Sequence, residues 1–180
     1  MKTILAFAGS NSSSSINYRL VSYTTSLIEN YDVQLLNMIN YPFPMYSEDL
    51  EKEKGFPNSL IELHRDIRAA HALVISVNEH NGNPSAYFKN LVDWLSRFDR
   101  GFLADKKVFL MSTSPGKRGG IGSKAVVENM MVRMGATVEE TYSLPSFHQK
   151  FSLQDNKIID GQLASEFRDT VNSFITKISS

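Results

Sequence analysis

Three polar segments hold the side chains best suited to chemistry in this 180-residue chain, and each follows a short apolar run. The first is Gly9-Ser10-Asn11-Ser12-Ser13-Ser14-Ser15-Ile16-Asn17. Hydroxyls, amides and free backbone N–H groups at the mouth of a helix suit a phosphate. The segment has one glycine, so it lacks the extra glycines that bring a dinucleotide pyrophosphate against the backbone. It also lacks the Gly-Lys-Ser/Thr of a nucleoside-triphosphate loop. A terminal monophosphate held by neutral donors fits it, and so does a Ser-rich helix cap with no ligand. The second segment is Asn78-Glu79-His80-Asn81-Gly82-Asn83-Pro84. Polar groups this dense beyond a buried strand need partners. A flat heteroaromatic ring offers several, while Asn-Gly turn chemistry is the plainer account. The third runs from Ser112 to Gly120 through Thr113, Ser114 and Gly116, and its three glycines permit close backbone approach. Lys117 and Arg118 within it either meet an anionic group or are ordinary solvated charges.

The elements that must position these segments follow from periodicity. Lys2 to Ala8 is predicted as a buried strand, and residues 15–29 as a helix with Ile16, Leu20, Leu27 and Ile28 on its apolar face. Val33 to Met38 is a second strand, followed by a loop that Pro42 and Pro44 enforce. A helix spans Pro57 to Ala70, and Ala72 to Val77 is a continuous apolar strand. Pro84 to Phe98 is a helix with Pro84 near its first turn. Lys107 to Ser112 is a fourth strand, Ile121 to Met134 a helix stopped by Gly135, Val138 to Leu144 a fifth strand and Leu163 to Ile178 a last helix. This alternation implies an α/β fold with a parallel sheet covered by helices on both faces. In such a sheet the ligand crevice lies beyond the carboxyl ends of the strands, where all three polar segments begin. No repeat or linker divides the chain, so residues 1–180 are expected to form one domain.

Composition removes whole classes of function. Lys+Arg and Asp+Glu are both 19, so net charge gives no case for nucleic acid or an anionic membrane as partner. There is no cysteine, which excludes disulfides, thiolate nucleophiles and Cys-held metals. No apolar run approaches the roughly 18 residues of a spanning helix. The run Ile4 to Phe7 is too short for a signal-peptide core. A cytoplasmic location is therefore expected. His64 and His71 lie seven apart with no further histidine near them, so no metal site is expected. The Gly-x-Ser-x-Gly elbow of a Ser-His-Asp hydrolase is absent.

Taken together, the segments resemble the NADPH-dependent FMN reductase family of flavodoxin-like fold, which includes quinone, azo-dye and chromate reductases. Gly9, Ser10, Ser15 and Asn17 are in register with the family's Gly-Ser-x-Arg-x-x-Ser-x-Asn phosphate motif. Asn78-Glu79-His80-Asn81 is similar to its Pro-Glu-Tyr-Asn flavin-ring motif. Lys89 to Arg97 is similar to its Leu-Lys-Asn-Ala-Ile-Asp-Trp-Leu-Ser-Arg helix. Ser112 to Gly120 resembles its Ser-rich Gly-Gly loop, and Gly55-Phe56-Pro57 matches a recurring tripeptide. The departures are Ser12 in place of a phosphate-binding Arg, Asn78 for the motif proline, His80 for its tyrosine, and Ser85-Ala86-Tyr87 where glycines are usual. Tyr87 is expected to narrow the substrate side or stack on the ring.

The resemblance implies a doubly wound five-stranded parallel sheet of order 2-1-3-4-5 and an FMN cofactor with NADPH or NADH as co-substrate. It implies hydride transfer to the flavin and on to a small acceptor such as a quinone, azo dye or free flavin. It places Gly9, Ser10, Ser12, Ser15, Ile16 and Asn17 at the cofactor's phosphate. Asn78, Glu79, His80, Asn81, Thr113, Ser114 and Gly116 fall around the ring. No catalytic side chain is obligatory, although His80 is a candidate proton donor to a reduced quinone. A homodimer or homotetramer is implied, with Asp93, Trp94 and Arg97 at the interface. The alternatives are a flavodoxin-type electron carrier, which is typically acidic as this chain is not, and an FMN-less regulatory or interaction module.

Overall fold

The computed structural model describes residues 1–179. Its sheet consists of β1 (Thr3–Ala8), β2 (Asp32–Leu36), β3 (Ala72–Val77), β4 (Lys107–Thr113) and β5 (Thr137–Leu144), all parallel and in the order β2-β1-β3-β4-β5. This is the 2-1-3-4-5 arrangement, whose order reverses between β1 and β3. Strands β1, β3 and β4 are apolar on nearly every residue because helices cover both faces. Alternate side chains divide between two cores. Leu5, Phe7, Leu73, Ile75, Val108 and Leu110 pack with helices α3 (Asn58–Ala69), α4 (Ala86–Phe98) and α5 (Ile121–Arg133). Ile4, Ala6, Val74, Phe109 and Met111 pack with α1 (Ile16–Ser26) and α7 (Gly161–Ser179). The register sets Ala8 opposite Ser76 and Val77 opposite Ser112, so the loops that follow emerge side by side.

Several elements differ from the sequence expectation. Strand β2 ends at Leu36, and Met38 starts a 3-10 turn, Met38–Asn40, that buries its side chain. Helix α4 starts at Ala86 because Pro84 belongs to a short hairpin, Glu79–His80 paired with Asn83–Pro84, and Ser85 caps the helix. Helix α2 (Glu48–Lys54) buries no residue and so has no apolar period to betray it. Its local signals are the Ser47 side chain accepting from the Leu50 N–H and Gly55 just past its end. The stretch before α7 folds into α6 (Phe147–Lys150) and a second small hairpin, Phe151–Ser152 with Lys157–Ile158.

Of the three α4 residues expected at an interface, Trp94 is committed to the core, while Asp93 and Arg97 form ion pairs at the surface. Trp94 is fully buried, and its indole N–H donates to the Pro44 carbonyl at 2.8 Å. Asn90 donates to the same carbonyl at 3.0 Å and accepts from the Tyr46 N–H at 2.8 Å. These bonds fasten the proline loop to α4. Trp94 is thus a core residue and cannot reach a second subunit. Arg97 holds Glu51 of α2 in a two-pronged ion pair, and Asp93 pairs with Lys89 at 2.6 Å. The two histidines weighed for metal are also engaged. His64 lies 2.9 Å from the Asp99 carboxylate and His71 2.7 Å from the Ile178 carbonyl.

Replacing Trp94 by alanine empties a large core site and removes one of the two hydrogen bonds to the Pro44 carbonyl. The expected loss is about 3–5 kcal/mol of unfolding free energy, read as a lower urea midpoint at unchanged slope.

Candidate functional site

A cleft of about 210 Å³ opens beyond the carboxyl ends of β1, β3 and β4. It lies where the strand order reverses, the usual ligand position in this architecture. Its walls are Ser10, Ser12, Ser14, Ser15, Ile16, Asn17, Asn78, Glu79, His80, Thr113, Ser114 and Pro115. Among the described residues, every buried polar side chain except Thr24 and Asn90 belongs to this end of the sheet.

The first loop opens α1. Ser15 caps the helix by accepting from the Tyr18 N–H at 3.1 Å, and Ser10 accepts from the Ser12 N–H at 3.3 Å. The Ser12 and Ser14 hydroxyls are exposed and 3.2 Å apart. Each hydroxyl can still turn a proton toward a ligand. Asn17 does something the sequence did not reveal. Its carboxamide oxygen accepts from the Ser76 hydroxyl at 2.7 Å and the Thr113 N–H at 3.0 Å, and its NH2 donates to the Thr113 carbonyl at 3.2 Å. Its side chain therefore ties the first loop to the ends of β3 and β4, leaving its backbone as the part available to a phosphate.

The second loop is held by its own acid. Glu79 accepts from the Ser123 N–H at 2.9 Å, in the first turn of α5, where a negative charge is favoured by the helix dipole. The Ser123 hydroxyl donates to the Asn78 carbonyl at 2.8 Å. Asn78 Nδ2 lies 3.3 Å from His80 Nε2, and Asn78 Oδ1 is buried with no partner among the described residues. An unpaired buried acceptor costs about 1–3 kcal/mol, so a donor supplied by a ligand would be stabilising there. Asn81 and Gly82 form the left-handed turn of the hairpin, and Asn81 does not line the cleft.

The third loop enters the cleft through Ser114 and Pro115, while the Thr113 hydroxyl is used inward on the Leu144 carbonyl at 2.8 Å. Two of its glycines serve the protein rather than a ligand. Gly119, at φ +59°, sits so near the Leu144 carbonyl that a Cβ would lie 2.8 Å from its oxygen, and Gly120 packs on Ser112. Gly116 is outside the cleft wall. Gly9 is outside it as well, because Phe88 of α4 crowds it: a Cβ there would meet the ring at 2.5 Å. Tyr87 is not a cleft residue either. Its hydroxyl lies 2.9 Å from the Tyr41 carbonyl and 3.2 Å from that of Met38, and burial raises its pKa, so it remains a donor tying α4 to the loop after β2. Ser14 and Pro115 line the cleft although the motif reading passed over them. Their adjacency to Ser12 and Ser114 was the available signal.

The model of the NADPH-dependent FMN reductase family matches residues 2–149. The chain belongs to that family. The reductase match contains all five strands and all three loops, and α7 lies beyond it. Among curated relatives, a quinone reductase of Escherichia coli K12 is 35% identical over 95 residues, 53% of this chain and 50% of that protein. The chain thus spans about half the length of the quinone reductases it matches. A probable NADPH:quinone oxidoreductase 2 of Oryza sativa subsp. japonica is 26% identical over 176 residues, covering 94% of this chain and 85% of that protein. Among solved structures, FerB, a flavoenzyme NAD(P)H:(acceptor) oxidoreductase from Paracoccus denitrificans, superposes with TM-score 0.81 at 24% identity, covering 99% of this chain and 98% of that one. At that identity the likeness speaks for the fold.

Truncating Asn17 to alanine leaves the Thr113 N–H and the Ser76 hydroxyl without their acceptor. The expected destabilisation is about 3 kcal/mol, with the loop ends losing hydrogen-exchange protection together. Ser12→Ala, which removes only an exposed contact, should leave both measurements unchanged.

Proposed function

We propose that this chain binds FMN in the cleft and uses NADPH or NADH to reduce it on behalf of a small acceptor such as a quinone, azo dye or free flavin. One observation carries the reading. A cleft at the strand-order reversal combines neutral donors around the start of α1 with a buried, unpaired acceptor at the end of β3. The bound flavin would supply the hydride chemistry.

The chain's own residues position and tune. Ser10, Ser12 and Ser15, with the backbone of Ile16 and Asn17, offer donors to a monophosphate. The missing Arg at Ser12 makes that grip one of hydroxyls and helix N–H groups rather than of charge. Asn78 Oδ1 offers an acceptor to a ring N–H. Glu79 acts indirectly, by anchoring its loop to α5. Thr113 and Ser114 offer backbone groups from the opposite wall. His80, exposed at the rim, can hold a proton for an acceptor that has gained electrons. Among the described residues no Phe, Tyr or Trp lines the cleft, which leaves a face of a bound ring open to substrates. An open face suits turnover with two successive small substrates better than service as an electron carrier. Location in the cytoplasm and assembly into dimers or tetramers belong to the same reading. Neither a spanning helix among the described residues nor a cysteine opposes it.

Adding FMN to purified protein should quench flavin fluorescence, and NADPH or NADH should then bleach the bound flavin in stopped-flow mixing. A protein that stays colourless and leaves FMN fluorescence untouched refutes the assignment. Ser15→Ala should weaken FMN binding roughly tenfold and cost about 1 kcal/mol of stability through the lost cap. His80→Phe should retain FMN and lower quinone turnover by about tenfold or more. Full turnover with an unchanged pH profile would remove the proton role.

A further inference from the structure

We propose that Lys117 and Arg118 form the site that recognises the adenosine 2′-phosphate of NADPH and so sets preference for it over NADH. The inference rests on the flavin-reductase reading and assigns its nicotinamide specificity to two residues outside the cleft wall.

The argument begins with charge. Between Asp105 and Glu128 the chain has no Asp or Glu, yet it carries Lys106, Lys107, Lys117, Arg118 and Lys124. Three of these five cations are occupied. Lys106 donates to the Arg68 and Ala70 carbonyls at the end of α3. Lys107 donates to the Lys177 carbonyl, and Lys124 to the Thr141 hydroxyl at 3.2 Å. Lys117 and Arg118 are exposed, and neither has an ion pair or side-chain hydrogen bond among the described residues. Among the described residues the one carboxylate in the cleft wall, Glu79, is already engaged by the start of α5.

The two cations follow Pro115 of the cleft wall by two and three residues. They are the middle residues of a four-residue turn closed by the Gly119 N–H donating to the Gly116 carbonyl at 3.2 Å. Gly116 accepts a second bond from the Ser146 N–H at 2.9 Å, and the Gly119 carbonyl accepts from the Ser112 hydroxyl at 2.7 Å. Gly119 lies so near the Leu144 carbonyl that a Cβ there would meet its oxygen at 2.8 Å. Immediately before it, Ser114 and Pro115 form part of the cleft wall. A hydrogen-bonded turn therefore holds two adjacent cations, unpaired among the described residues, directly after the cleft wall.

The two nicotinamide nucleotides differ only in the 2′-phosphate, a doubly charged group near neutrality. A guanidinium beside an ammonium matches it in charge and in donor geometry. The serine-lined cleft gives the FMN monoester neutral donors of its own, so this pair is not required there.

The test uses the FMN-reconstituted protein and the Lys117→Ala, Arg118→Ala and double variants, all at exposed turn positions. In the double variant kcat/KM for NADPH should fall about tenfold or more while that for NADH stays within about twofold. Raising ionic strength should weaken NADPH use more than NADH use in the wild type, and this difference should vanish in the double variant. Calorimetry should show 2′,5′-ADP binding tighter than 5′-AMP in the wild type only, and FMN affinity should be equal in all four proteins. An unchanged NADPH-to-NADH ratio overturns the proposal. So does a parallel loss of FMN affinity, which would give these cations to the flavin phosphate. A wild type that fails to bind FMN overturns the functional reading instead, and the 2′,5′-ADP titration on that same protein still decides the anion site.

Discussion

The carboxamide of Asn17 is the constraint on which the arrangement of the cleft depends. A parallel sheet with strands in register delivers its loops to one edge, but nothing in the ladder fixes how those loops sit against one another. Asn17 does so with three hydrogen bonds, two at the Thr113 peptide and one at Ser76. It projects from the first turn of α1, so the helix that would face a phosphate is indexed to both neighbouring strand ends. The bonds are buried, where low dielectric makes them stronger and their loss more costly. Ser85 adds a similar tie by donating to the Gly9 carbonyl at 3.0 Å, which brings the start of α4 to the same edge.

Around this knot the protein separates charge from binding. The cleft wall is nearly all neutral, its one acid is turned to a helix terminus, and the free cations come directly after the wall in the third loop. A site built this way would grip an anion through geometry rather than through attraction at long range. Its binding strength should then depend on hydroxyl orientation and helix N–H groups more than on ionic strength. The cations behave oppositely, since an exposed charge acts over a distance set by the Debye length.

Much of the fold is legible in the sequence because doubly covered strands must be apolar throughout. β1, β3 and β4 announce themselves for that reason, and the chain alternation then dictates helices on both faces. What escaped notice had no period to read. Helix α2 lies on the surface without a buried residue, and the hairpins at Glu79–His80 and Phe151–Ser152 are two residues per strand. The site is legible as three loops but not as contacts. A sequence shows that Asn17 is polar and near a helix start; it does not show whether the amide meets a ligand or a strand end. The third loop's glycines permit close approach, but the group beside Gly119 is the Leu144 carbonyl, and in the first loop Phe88 lies against Gly9. Tyr87 likewise bonds backward to the loop after β2, a partner some 46 residues upstream that no local pattern reveals.

Helix α7 lies past the span that the family model matches, yet with α1 it covers one face of the sheet. Ala164, Phe167, Val171, Phe174 and Ile178 are all buried there, at steps of three and four that keep them on a single stripe. Phe167 and Phe174 rest on Phe109 of β4, near the middle of the same strand whose end carries the third loop. The demand on this segment is for rhythm more than for particular letters: any tail that keeps an oily ridge of that width would roof the sheet, so relatives can diverge here without disturbing the active end.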